Sequence, residues 1–169
     1  MYDISKYGRF ACVCALLFVA ACASKPTVAP SSPNPAPAPQ VQSSVIPGSE
    51  KDFRVSVGDT VHFDYDRYNL RDDEKVILQR QATWLNKYPA VRVTVEGNCD
   101  ERGTREYNLA LGARRANSVK EYLGSLGVSM GRVDTISYGK ERPVCSESNE
   151  ACWAQNRRAV TAISAGASS

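Results

Sequence analysis

From Val61 onward the apolar positions of this chain follow two rhythms. Val61, Phe63 and Tyr65 alternate with His62, Asp64 and Asp66, a period of two that predicts a half-buried strand over residues 61–66. Leu70, Ile77, Leu78, Trp84, Leu85 and Tyr88 then recur at helical spacing. Asp72, Asp73 and Glu74 suit the positive end of that helix, and Pro89 stops it. Val91, Val93 and Val95 alternate with Arg92, Thr94 and Glu96, a second strand ending at Gly97, where the loop Asn98-Cys99-Asp100-Glu101-Arg102-Gly103 begins.

The most regular stripe follows: Leu109, Gly112, Ala113, Ala116, Val119, Leu123 and Leu126, spaced by three and four and closed by Gly127 as a C-cap. At about 100° per residue, Arg114 falls about 180° from the centre of the stripe and Arg115 about 80° away, so Arg114 is expected in solvent and Arg115 at the border of the core. Residues 133–138 and 158–163 read as two further strands, joined by the segment from Cys145 to Cys152 and a short helical turn. The predicted class is α+β: βαβαββ order, a mixed four-stranded sheet, and two main helices on one face.

The N-terminus has a different pattern. Lys6 and Arg9 precede an apolar run from Ala11 to Ala21. About eleven helical residues cover ~16 Å, short of the ~30 Å hydrocarbon core, so residues 1–21 read as a cleaved export signal rather than a membrane span. Val19-Ala20-Ala21-Cys22 resembles the lipobox of bacterial lipoproteins. That resemblance implies S-diacylglycerol and N-acyl groups on Cys22, more than one chain and hence a stable anchor, and no other cofactor. Ala23 and Ser24, with no Asp beside Cys22, resemble lipoproteins sorted to the outer membrane. Residues 22–52 are dominated by Pro, Ala, Ser and Gln and read as a disordered linker, in which the roughly 28 residues from Ala23 to Glu50 could reach up to ~85 Å if extended. Residues 53–164 form the folded domain and 165–169 a flexible tail.

Charge is nearly balanced, with 21 Lys and Arg against 18 Asp and Glu, and no basic run points to nucleic acid. Of six cysteines, Cys12 and Cys14 leave with the signal and Cys22 is acylated. In an oxidising compartment Cys145 and Cys152 are expected to form a disulfide, leaving Cys99 as a buried or shielded thiol. A zinc site from Cys99, Cys145, Cys152 and His62 lacks ligand spacing. A papain-like pairing of Cys99 with the single histidine, His62, lacks a third orienting group.

The motifs at the element ends are Val93-Thr94-Val95-Glu96-Gly97, Asp100-Glu101-Arg102-Gly103-Thr104, Tyr107-Asn108-Leu109, Leu111-Gly112, Arg114-Arg115-Ala116-Asn117, Ser137-Tyr138-Gly139-Lys140-Glu141 and Asn156-Arg157-Arg158-Ala159-Val160. In type, order and spacing they closely resemble the peptidoglycan-associated lipoproteins, whose folded part is an OmpA-like domain. The resemblance implies non-enzymatic binding of the diaminopimelate of peptidoglycan stem peptides, with the acid at Asp100, the arginine at Arg115, and Phe63, Asp64 and Arg157 as further lining positions. It also implies an outer-membrane anchor with the domain in the periplasm, and TolB and other Tol proteins as partners in envelope integrity and division. The chemistry suits the ligand. Its free end carries an ammonium, which Asp100 would accept from, and a carboxylate, which the planar fork of Arg115 would clasp. The competing reading of the same two residues is an ion pair with one another that fixes the loop on the helix. Arg102, Arg105 and Arg114 are expected to be solvated or to order loops, and Tyr107 and Leu109 to pack.

One departure stands out. Where the family usually has Gly-His-Ala-Asp or Gly-His-Thr-Asp, this chain has Gly97-Asn98-Cys99-Asp100, and Asn98 cannot titrate near neutral pH. Two other functions are compatible with parts of the pattern: an OmpA-like lipoprotein serving a motor or secretion complex, and a Cys99-dependent peptidoglycan hydrolase.

Overall fold

The computed structural model describes residues 45–169; the export signal, Cys22 and most of the Pro-rich linker lie outside the described residues. The elements run α1 (Glu50–Asp52), a wide π-type turn (Phe53–Val57), β1 (Thr60–His62), α2 (Asp72–Lys87), β2 (Arg92–Asn98), α3 (Arg105–Ser125), β3 (Val133–Gly139), α4 (Glu150–Asn156) and β4 (Arg158–Ala165). The sheet order is β1-β4-β2-β3. β2 lies parallel to β3, with α3 as the crossover between them, and antiparallel to β4, which in turn pairs antiparallel with β1. This is the mixed sheet and α+β class expected, with α3 packed on β2 and β3 and α2 on α3 and β1.

Val91, Val93 and Val95 are essentially inaccessible, as are Leu78, Leu85, Val119 and Leu123 from the helices. Each such side chain contributes about 1.5–3 kcal/mol relative to exposure. The buried Gln81 is paired: it donates to the Gly58 carbonyl at 2.8 Å and accepts from the Thr161 hydroxyl at 2.9 Å, which removes most of the cost of burying an amide.

Several expectations need correction. The first strand is shorter than residues 61–66. After His62 the chain turns, with Phe63 N–H donating to the Arg157 carbonyl, Arg67 N–H to the Asp64 carbonyl, and Asp66 at φ +55°. Tyr65 therefore points outward rather than into the core. The buried face of α3 is Asn108, Leu111, Gly112, Arg115, Ala116, Val119 and Leu123. Leu109, Tyr107 and Ala113 are exposed, so neither Tyr107 nor Leu109 is a packing residue, and Arg115 sits within the stripe, not at its border.

The folded body also begins before Phe53. The Ser49 hydroxyl caps α1 by accepting from Asp52 N–H at 3.1 Å, and the Asp52 carboxylate accepts from Gly48 N–H and Trp84 Nε1, both at 2.9 Å. The end of the chain joins it: Ser168 N–H donates to the Gly48 carbonyl at 3.0 Å, in a parallel bridge with Ser49. The linker thus stops about four residues short of Asp52, and residues 166–168 are part of the body rather than a free tail.

The contact that positions the site is between two glycines. A Cβ on Gly97 would fall 1.9 Å from the Gly112 carbonyl oxygen, so only glycine lets α3 approach the end of β2 this closely. Arg115 follows Gly112 by three residues on the same helix face.

Candidate ligand-binding site

α3 carries Arg115 over the end of β2. There it is 1% exposed and its guanidinium binds three carbonyls on two segments: Nε donates to the Arg67 carbonyl at 2.8 Å, Nη1 to the Asn98 carbonyl at 2.8 Å and Nη2 to the Asp64 carbonyl at 3.1 Å. The Phe63 ring lies 5.1 Å from Cζ, a cation–π contact. Burial pushes the Arg115 pKa down, yet an arginine starts so high that it stays charged. Of its five N–H groups these bonds use three, which leaves one on each terminal nitrogen.

Asp100 follows β2, where the ladder shifts register at Gly97 and Asn98 and Cys99 N–H bonds the Gly139 carbonyl at 2.7 Å. Its carboxylate is 4% exposed. Oδ1 accepts from Arg102 N–H at 3.1 Å and Arg102 Nε at 3.2 Å, the first closing an Asx-type turn. Oδ2 accepts from Arg102 Nη2 at 2.5 Å and Arg157 Nη1 at 3.4 Å. Burial raises the Asp100 pKa, but the bonds from Arg102 and Arg157 together outweigh it and hold the carboxyl below its usual range.

Asp100 and Arg115 line one cleft of about 160 Å³, together with Tyr65, Asp66, Cys99, Arg102, Tyr107 and Asn108. At ~30 Å³ per water this is room for about five waters, or the tip of one zwitterionic side chain. Among the described residues Asp100 forms ion pairs with Arg102 and Arg157, not with Arg115. The loop-fixing pair of Asp100 with Arg115 is therefore replaced by two other arginines, and Arg115 keeps its two remaining donors.

The other sequence-predicted positions divide. Arg157 stands behind Asp100, fixed by its Nε bond to the Phe63 carbonyl at 3.1 Å and its Nη2 bond to Glu150 at 2.6 Å. Phe63 supplies a ring beneath Arg115, and Asp64 supplies its main-chain carbonyl while its side chain turns to Arg71 at 3.5 Å. Phe63 and Arg157 border a neighbouring cleft with His62 and Glu74, not the one that holds Asp100 and Arg115. Asp64 thus meets Arg115 through its backbone carbonyl, with its side chain turned away toward Arg71.

Arg102, expected only to be solvated or to order its loop, is bonded to Asp100 within the cleft. Its guanidinium is stacked between the rings of Tyr65, at 4.0 Å, and Trp153, at 4.1 Å, so it is a fixed part of the site. Tyr107 joins the rim through a hydrogen bond from its hydroxyl to Asp66. Asn108 ties the loop by donating to the Arg102 carbonyl at 2.8 Å and the Thr104 carbonyl at 3.1 Å. The Asp100-x-Arg102 spacing, which permits a side chain to return to an Asx turn, was the available signal.

Cys145 and Cys152 are joined as a disulfide with Cα atoms 5.1 Å apart, so two of the four conceivable zinc ligands are consumed. Cys99 is a free, buried thiol. Its Sγ donates to the Asn108 carbonyl at 3.3 Å, and burial pushes its pKa up to about 11, opposite to the depression that marks a nucleophilic cysteine. His62 lies against Glu74 at 3.7 Å, in the neighbouring cleft. In this chain's departure from the usual motif, Asn98 is buried; its Nδ2 donates to the Glu96 carbonyl at 3.1 Å and its Oδ1 has no partner.

Residues 62–157 match the OmpA family. The chain is 57% identical over 120 residues to the peptidoglycan-associated lipoprotein of Agrobacterium fabrum, covering 71% of this chain and 68% of that protein. It is 50% identical over 156 residues to the protein of the same name from Mesorhizobium japonicum, covering 91% and 90%. Its fold is similar to the crystal structure of the peptidoglycan-associated lipoprotein from Burkholderia pseudomallei, with a TM-score of 0.61 and 45% identity over 62% of this chain and 89% of that one. Among the described residues no helix is long and apolar enough to cross a membrane.

Proposed function

The chain belongs to the OmpA family and, within it, to the peptidoglycan-associated lipoproteins, and from that premise we propose that it holds the outer membrane to the cell wall by gripping the free end of diaminopimelate. It is an envelope lipoprotein with a periplasmic domain and a binding protein rather than an enzyme. Acyl groups on Cys22 form the membrane end of the link. Asp100 accepts hydrogen bonds from the ligand's ammonium, and the two unspent N–H groups of Arg115 clasp its carboxylate. TolB and the other Tol proteins are the protein partners of this reading.

The observation that carries the proposal is that a buried acid and a buried arginine share one small cleft without pairing with each other. Burying both charges is costly, and a zwitterion entering between them supplies the opposite charge to each.

Co-sedimentation with isolated peptidoglycan tests it, using wild type, Asp100→Asn and Arg115→Lys after each variant is shown to be folded. Each substitution is expected to weaken binding at least tenfold, since a hydrogen bond to a charged group is worth about 1.5–3 kcal/mol. Wall material lacking diaminopimelate should fail to retain the wild type. Retention of both folded variants at wild-type levels would remove the site from consideration.

A further inference from the structure

If Asp100 takes the ligand's ammonium, the cleft has a conflict that the two-charge description leaves out. A carboxylate offers about four lone-pair positions, and Asp100 already accepts four donors: Arg102 N, Arg102 Nε, Arg102 Nη2 and Arg157 Nη1. An incoming ammonium needs some of those positions, so a resident donor has to leave.

The two arginines are not equally free to do so. Arg157 has a side chain only 8% exposed, and its other nitrogens are bound to the Phe63 carbonyl and Glu150. Arg102 lies on the loop between β2 and α3, with its side chain 28% exposed. It also has somewhere to remain. Its guanidinium is held between the rings of Tyr65 and Trp153, and its Nη1 is already 3.7 Å from the carboxylate of Glu150. Releasing Asp100 costs Arg102 two side-chain hydrogen bonds, while the aromatic contacts and a carboxylate partner stay within reach.

We propose that Arg102 is the resting occupant of the ammonium position on Asp100, and that by competing with the incoming cation it restricts this cleft to ligands bearing a free, protonated amine. The inference rests on the reading of Asp100 as the ammonium acceptor. A neutral or acylated terminus cannot replace the charge that Arg102 withdraws, whereas an ammonium replaces it like for like. The Asx-turn bond from Arg102 N–H survives the exchange, so the carboxylate keeps its orientation. The self-occupied state lowers apparent affinity by the fraction of molecules in which Asp100 is open.

The test uses the full chain and a soluble stem peptide carrying diaminopimelate, beside the same peptide with the side-chain amine acetylated, titrated by calorimetry. Arg102→Met keeps an apolar stem between the two rings and removes the competitor. It is expected to bind the free-amine peptide roughly tenfold more tightly than wild type, and to narrow the wild-type preference for the free amine over the acetylated form. A folded Arg102→Met that binds the free-amine peptide equally or more weakly overturns the competition and makes Arg102 a positioning residue. In the wild type, the Nε–H resonance of Arg102 should shift on saturation, and a resonance that stays in place overturns the proposal regardless of how the variant behaves. Asp100→Asn separates the two layers. If it binds as wild type does, the site itself is misassigned. If it loses binding while Arg102→Met does not gain, only the competition fails.

Discussion

Arg115, on α3, donates from Nη1 to the main-chain carbonyl of Asn98 at 2.8 Å, and its other two bonds go to the Asp64 and Arg67 carbonyls, so it joins the end of β2 to the turn that follows β1. The residue that reads as a ligand contact is therefore also a strut. Its replacement by alanine strands the carbonyls of Arg67 and Asn98, each at about 1–3 kcal/mol if water cannot reach it, while the Asp64 carbonyl keeps the bond from Arg67 N–H. Urea unfolding of Arg115→Ala is expected to show a loss of at least about 2 kcal/mol with an unchanged m-value. A loss under about 1 kcal/mol would mean that water satisfies those carbonyls. Arg115→Lys, which keeps a donor and the charge, is accordingly the variant of choice for binding.

The disulfide closes a loop with a sequence separation of 7 between Cys145 and Cys152, for which loop-closure entropy gives about 2.5 kcal/mol. The same loop has a second fastening. Asn156 accepts from Val144 N–H at 2.8 Å and Cys145 N–H at 3.2 Å, and donates to the Cys145 carbonyl at 2.7 Å. The double variant Cys145→Ser, Cys152→Ser should therefore stay folded and lose about 2.5 kcal/mol or less in denaturant titrations. Its backbone amide shifts should be confined to the neighbourhood of α4, and changes spread across the sheet would show that the bridge organises more than its own loop.

The Asp100 carboxyl is drawn upward by burial, but the Arg102 and Arg157 donors together leave it below the ordinary carboxylate range. With a folded pKa below the unfolded one, its contribution to stability is complete above the unfolded value of about 3.9 and is lost as pH falls through the folded value. The stability difference between wild type and Asp100→Asn should be flat from pH 7 to about 5 and shrink below about pH 4. A gap that closes between pH 5 and 7 would contradict the assigned direction.

Much of this fold was legible because its sheet is built from valines. Val91, Val93 and Val95 alternate cleanly, and their burial follows. The phase of α3 differs from the expected one for a physical reason: its inward stripe contains Asn108 and Arg115, polar residues that do not count toward an apolar stripe, so that Arg115 is expected only at its border, and its outward face carries Leu109, which pattern reading assigns to the core. Tyr65 lengthened the first strand by the same error, an aromatic counted as buried although it stacks on Arg102 at the surface. Asp100 and Arg115 were found through local motifs. Arg102 was not, because Trp153 and Glu150, which define its setting, come from a helix more than forty residues away in sequence. The start of the body was readable in principle: Ser49 and Asp52 have the spacing of a helix-start box, obscured by the polar residues before it.

The junction at Gly48 decides how the domain bears load. Tension arriving along the chain from the N-terminal side meets the bonds of Gly48 to Ser168, and of Asp52 to Gly48 and to Trp84, before it reaches the sheet. Pull is thereby shared between α2, through Trp84, and the segment that follows β4, through Ser168. A domain fastened this way takes a pull at its root on two elements at once rather than on a single strand.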